Sequence, residues 1–355
     1  MNNPLAADLD YILSRTEKVW DDLRGQRLFI TGGTGFFGAW LLESFAWAND
    51  RLNLNASLLA LTRDMEAFRK KAPHLANHRA IDFHTGDIRD YTFPEGEFSH
   101  IIHAATTSAL ATFNNEDQLV KFDTIVQGTR HTLDFAVRCR AKMILLTSSG
   151  AVYGVQPPNM THIDEDYRGA PESTDISAAL GEGKRAAEFL CAYYSGKYGM
   201  ETKIARCFSF VGPYMPLDVH YAIGNFIRDG MNGVPILVKG DGTPHRSYLY
   251  AADLAIWLWT ILLRGIACHP YNVGSEDDIT IAELANTVSQ CFPKPVDVQI
   301  AQTPDPNSRV ERYVPSTERA RIGLGLFQWI ALPEAIKRTI SFMDSSMTNH
   351  QGACF

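Results

Sequence analysis

The chain has 355 residues, 45% of them hydrophobic and 21% charged, enough to bury a proper core in one large domain or two ordinary ones. A formal charge of −7, with no lysine- or arginine-rich run, offers no field for a nucleic-acid backbone, so no nucleic-acid partner is expected. No charged-then-apolar leader and no apolar run of about 18 residues is present, and the cysteines at 139, 191, 207, 268, 291 and 354 are scattered; the expectation is a reducing, cytoplasmic setting without membrane span, metal site or disulfide framework.

In chain order, residues 5–24 read as an amphipathic helix packed on the body, making 1–26 an N-terminal extension. RLFITGGTGFFG at 27–38 then runs an apolar strand into glycines 32, 35 and 38, and the apolar FFGAWLLESFAWA that follows has helical length. A strand-to-helix turn of this kind needs one residue tolerant of positive φ, one place without Cβ where a pyrophosphate approaches, and one small residue where helix meets strand. The helix N-terminus adds amide donors and the positive end of its dipole, so Gly32, Gly35, Phe36, Phe37 and Gly38 form a candidate dinucleotide site.

Further strand-like runs stand at 57–62, 80–87, 100–105, 143–149 and 202–208, most of them separated by helical stretches. Such alternation predicts an α/β fold, a Rossmann-type doubly wound parallel sheet. From about 209 the pattern turns to proline- and glycine-rich loops, with helices at 221–231 and 280–290, as in a smaller C-terminal substrate-binding domain; LAIWLWTILL at 254–263 reads as a buried helix. The expected division is a dinucleotide-binding domain over 27–208 with a return segment near 245–275, a substrate-binding domain over 209–244 and 276–343, and a flexible polar tail at 344–355.

LLTSSGAVYG places Ser148 and Ser149 at the carboxyl end of a buried strand, where ligands of doubly wound sheets gather, and GEGKRAAE opens a long helix carrying Lys184. The glycine turn, the SSxxVYG run and GEGKRAAE, in that order, resemble the extended short-chain dehydrogenase/reductase family, in particular its nucleotide-sugar epimerases, dehydratases and decarboxylases, over residues 27–340. The resemblance implies a nicotinamide cofactor, a nucleotide diphosphate sugar as substrate and hydride transfer at sugar C4. It gives Ser149 a hydrogen bond to the sugar oxygen and Lys184 the nicotinamide ribose. The family's general acid/base is a tyrosine four residues before that lysine, and here position 180 is leucine, which cannot ionise. Three readings stand: an engineered substitution, a natural variant with another base, or a non-catalytic binding module of the same fold. Tyr193 and Tyr194 lie too far along the helix to replace the missing phenol. Gly150 and Ala151 stand where dehydratases and decarboxylases carry acidic groups, which favours redox epimerisation or ketosugar reduction, although GEGKR is close to the UDP-glucuronate decarboxylase branch.

On the substrate side the resemblance assigns Asn225 in GNFIRDG, Arg246 in KGDGTPHRSYLYAADLA and Arg312 in RVERYVPS, with Asp253 structural; two guanidinium forks suit one diphosphate. Ser209 stands in place of a usual asparagine, and so does Ile125. For the cofactor, Arg63 ends the second strand where an acidic residue would bind an NAD ribose, leaving NAD and NADP both open. Asp87 with Ile88 resembles the adenine-contacting segment, Ala104, Ala105 and Thr106 the loop beneath the pyrophosphate, and His103 reads as packed. Helices 115–139 and 178–198 resemble the pair that builds this family's homodimer interface.

Overall fold

Apolar runs of four to seven residues, too short for buried helices, become the strands of one parallel sheet: β1 (Arg27–Thr31), β2 (Ser57–Thr62), β3 (Ile81–Thr85), β4 (His100–His103), β5 (Met143–Ser149) and β6 (Glu201–Cys207). In the computed structural model, which describes residues 3–107, 114–219, 221–307 and 309–351 with side chains through 345, the order is β3-β2-β1-β4-β5-β6, followed by Pro270–Val273. This is a Rossmann-like α/β fold. Strand order reverses between β1 and β4, so the carboxyl ends of β1, β4, β5 and β6 open onto one crevice.

The seventh strand was not legible because Pro270 opens it, and proline cannot donate to a ladder; the edge of the sheet tolerates it. Helix Ala251–Arg264 is buried on every face, since it lies between the sheet and helix Ala6–Thr16. The N-terminal stretch is not one helix over 5–24. It is α-helical over Ala6–Thr16 and 3₁₀ over Glu17–Leu23. Thr16 Oγ1 donates to the Ile12 carbonyl (2.6 Å) and accepts from Trp20 Nε1 (2.7 Å), tightening the chain at the join. Asp253 takes Tyr11 Oη and the Trp329 and Ile330 amides, each at 3.1 Å, and so ties both chain ends to the buried helix.

Beyond β6 the chain builds helix Ala222–Met231, helix Ile281–Gln290 with a Thr280/Glu283 capping box, and a small sheet in which His245–Arg246 lies between Ile279–Thr280 and Arg312–Tyr313. The stretch expected as a tail from 344 instead continues helix Leu332–Gln351, because neither glycine nor proline interrupts it before Gly352; residues 352–355 lie outside the described residues. No helix among the described residues is long and apolar enough to cross a membrane.

Candidate active site

The glycine turn divides its three tasks as its geometry requires. Gly32 has φ +72°, and a Cβ there would lie 2.7 Å from the Ala104 carbonyl carbon. Gly35 is the N-cap of helix Phe36–Leu52, and no side chain caps that end, so its amides face the crevice. Gly38 does not reach the crevice: a Cβ there would meet the Gly32 carbonyl at 2.3 Å, so this glycine sets how closely helix and strand pack.

A cavity of about 1590 Å³ runs along the carboxyl ends of the strands. Ordinary small-molecule sites hold roughly 300–1,000 Å³, so this one has room for two ligands end to end. At one end it is lined by Gly32, Gly35, Phe36, Phe37, Arg63, Asp87 and Ile88, with Ala104, Ala105 and Thr106 beneath. Ser149, Leu180 and Lys184 line it further on, and Ser209, Arg246 and Arg312 reach it from beyond β6. Asn225 is the exception. Its Oδ1 accepts from Arg228 Nη1 (3.0 Å), and its helix meets the cavity through Ala222 and Ile223 instead.

Lys184 is buried, donates to the Thr147 carbonyl (2.7 Å), and is pushed down to about 8 by loss of solvation, with Cys207 and Glu188 opposing the shift. Leu180 begins the same helix, Ala179–Tyr198, one turn before Lys184 and on the same face. That helix sits tightly on its neighbours: a Cβ on Gly181 would lie 2.6 Å from the Ala151 carbonyl, and Ile125 packs on Gly183. Ile125 therefore acts as a spacer between helices Gln118–Arg138 and Ala179–Tyr198. Neither Tyr193 nor Tyr194 lines the cavity; Tyr194 Oη donates to Asp134. His103 is packed, held between Thr31 Oγ1 (2.8 Å) and Thr129 Oγ1 (2.9 Å), and burial pushes it down to about 3.

Under the site, Ser148 Oγ donates to Glu188 (2.5 Å), which accepts from Arg206 Nε and Nη2, and Arg206 Nη1 donates to Tyr153 Oη (2.9 Å). This polar network locks β5, β6 and the Lys184 helix together. Arg246 and Arg312 both line the cavity, on neighbouring strands in which Tyr313 stands opposite Arg246 and Arg312 opposite His245. Arg246 is paired with Glu311 (3.4 Å) and Arg312 with Asp278. At the far end Arg89 holds Asp87 through Nε (2.8 Å) and keeps that carboxyl below its usual range, with Arg63 adding to the effect. Asp64 is spent on capping helix Met65–Lys71 through the Ala67 amide (2.9 Å), so the end of β2 presents a guanidinium and no free carboxylate from that position.

Sequence reasoning missed Arg89, Phe208 and Tyr313, all of which line the cavity. Arg89 stood two residues after Asp87 and Tyr313 beside Arg312, but nothing in the one-dimensional order brings Tyr313 to Ser149. Among the described residues no group of three histidine, cysteine or acidic side chains is placed to hold a metal.

Residues 28–274 match the model of the NAD dependent epimerase/dehydratase family, and the chain belongs to that family. It is 27% identical to UDP-glucuronic acid decarboxylase 1 of Danio rerio over 92% of this chain and 74% of that one. It is 28% identical to UDP-glucuronic acid decarboxylase 6 of Arabidopsis thaliana over 87% and 86%. Among solved structures its fold is similar to UDP-glucuronic acid 4-epimerase of Bacillus cereus, crystallised with NAD and a UDP-sugar analogue: TM-score 0.76 at 17% identity, over 90% of this chain and 99% of that one.

Proposed function

We propose that this chain is a nicotinamide-dependent enzyme that transfers hydride at a carbon, C4 by resemblance, of a nucleoside diphosphate sugar. The observation that carries the reading is one continuous cavity joining the uncapped helix at the glycine turn to the paired Arg246 and Arg312 strands, with Ser149 and Lys184 between. The residues present fit a dinucleotide: Gly35 and the first amides of its helix would take the pyrophosphate, Asp87 and Ile88 the adenine side, and Lys184 the nicotinamide ribose. Arg63 and Arg89, with Asp64 engaged elsewhere, would suit a 2′-phosphate, so NADP is the favoured form. When bound, the nicotinamide supplies or accepts the hydride. Arg246 and Arg312 would grip the diphosphate of the substrate, Ser209 would line its pocket, and Ser149 Oγ would hold the sugar oxygen.

A second reading, a binding module without catalysis, is favoured by one observation, the leucine at 180. The two separate on incubation of the protein with UDP-glucuronic acid, UDP-glucose and dTDP-glucose, following the near-ultraviolet absorbance of the reduced nicotinamide. An enzyme changes that absorbance or, where the nicotinamide returns to its starting state, converts at least one sugar nucleotide into another seen by chromatography; a binder does neither. Mass spectrometry of small molecules released from the purified protein is expected to show a phosphorylated nicotinamide dinucleotide.

We also propose a homodimer through helices Gln118–Arg138 and Ala179–Tyr198. The support is their contact with one another and their outward apolar side chains, Leu119 (69% exposed) and Phe189 (68%).

A further inference from the structure

We propose that Tyr313 supplies the proton at the reacting oxygen, in place of the tyrosine that position 180 lacks; this rests on the nucleotide-sugar reading above. The motif positions leave the centre of the cavity short of a proton carrier. Leu180 has none to give, and Gly150 carries no side chain where relatives of the resembled family have an acid. The space of that missing side chain is filled. A Cβ on Gly150 would lie 2.7 Å from Tyr313 Oη and 2.7 Å from Phe208 Cζ, so glycine is required at 150 because the phenol comes to rest there. Tyr313 reaches it from Arg312–Tyr313, a strand more than 160 residues away in sequence.

The hydroxyl stands beside the residue that matters. Tyr313 Oη rests against Gly150, the residue that follows Ser149, and both Ser149 and Tyr313 line the cavity, so an oxygen held by Ser149 Oγ lies in the part of the cavity that the phenol enters. The phenol is held firmly. Its ring packs on Phe208 at 4.7 Å between centroids, the next amide, Val314, donates to Gln156 Oε1 (3.0 Å), and the Val314 carbonyl accepts from the Ile163 amide (2.9 Å). Arg246 on the paired strand, Cys207 at the end of β6 and Tyr221 are the other ionisable groups that face it.

Burial pushes this phenol up to about 12, so at neutral pH it is almost wholly protonated and serves as an acid. In the proposed step Tyr313 gives its proton to the oxygen of a nucleotide-bound ketosugar. Hydride adds to the carbonyl carbon from a reduced nicotinamide, forming a C–H bond; the C=O π pair moves onto oxygen. The Tyr313 O–H bond breaks, its proton forms the new hydroxyl, and water reprotonates the phenolate while the nicotinamide leaves oxidised.

The test compares the wild type, Tyr313→Phe, and the protein carrying fluorotyrosine at 313, with NADPH and two probes, UDP-4-keto-xylose and dTDP-4-keto-6-deoxyglucose. Phenylalanine keeps the ring contact with Phe208. Tyr313→Phe is expected to slow single-turnover hydride transfer by about 10²- to 10⁴-fold, with calorimetric affinity for UDP and for NADPH unchanged. The fluorinated phenol ionises at lower pH, so the alkaline limb of the pH–rate profile moves down with it, and its fluorine resonance shifts when UDP-xylose binds; a merely structural tyrosine would show neither effect. Hydride transfer by Tyr313→Phe at the wild-type rate, or a pH profile unmoved by fluorination, overturns the assignment while leaving the nucleotide-sugar reading intact. A wild type that reduces neither probe and binds no UDP-sugar brings down both.

Discussion

At the scale of single residues, position 180 carries a leucine, position 150 a glycine, and the space beside Gly150 holds a phenol from another part of the chain. Because Leu180 lines the same cavity, Leu180→Tyr is expected to change turnover little in the wild type but to recover most of the loss caused by Tyr313→Phe; stopped-flow hydride transfer in the four proteins decides it. No recovery would mean that the two positions do not serve one atom. At the other end of the cavity, Arg63→Ala should weaken NADP binding by about 10- to 100-fold and leave NAD unaffected, the range of one lost charged hydrogen bond. Titration calorimetry with both dinucleotides reads the difference, and equal losses for the two would exclude a 2′-phosphate contact.

At the scale of elements, what was legible followed from pattern. β2 and β5 have the bounds that their apolar runs gave, and the long helices lie within a residue or a few of expectation, since continuous apolarity and period 3.6 are local properties. Elements whose existence depends on a partner escaped. Pro270–Val273 is a strand because β6 offers an edge, and the two-residue pieces Ile279–Thr280, His245–Arg246 and Arg312–Tyr313 are strands through pairing with one another. The same dependence shapes two stability predictions. Gly38→Ala pushes a methyl into backbone, which cannot yield as a side-chain tip can, and should cost about 1–3 kcal/mol in denaturant unfolding. Arg206→Met leaves Glu188 buried against Ser148 without its cation, and should cost about 3–5 kcal/mol by the same measurement.

At the scale of the whole molecule, two buried ionisable groups give the stability a pH dependence of known sign. Burial raises Asp253 from 3.8 to about 6, so between these values the folded chain holds more protons than the unfolded one, and this group's contribution falls as pH rises through that window. Burial lowers Lys184 from 10.5 to about 8, so this group's contribution rises with pH between these values, while above about 9 the thiols of Cys139, Cys191 and Cys207, which burial pushes up, act in the opposite sense. Lys184→Met should make the slope of stability against pH more negative than the wild type's between 8 and 10.5 in urea-midpoint measurements, and an unchanged slope would overturn the assignment. For the assembly, Phe189→Glu is expected to convert a dimer to monomer by light scattering, since it sets like charges facing across the proposed interface.

The amino-acid order by itself determined the layers of the fold, the glycine turn, the Lys184 helix and the absence of a phenol at 180, because each is written in neighbouring residues and their period. It also marked Arg246 and Arg312, though not that their strands pair, and it placed Asn225 in a site that its helix meets through Ala222 and Ile223 instead. Only the tertiary structure decided what stands at the centre of the cavity. Tyr313 comes beside Gly150, next to Ser149, on a strand from the far part of the chain, and the glycine makes room for it. Contacts of that sequence separation have no local signature, so an empty position at 180 read in one dimension as a missing acid, whereas in three dimensions a phenol stands beside Ser149.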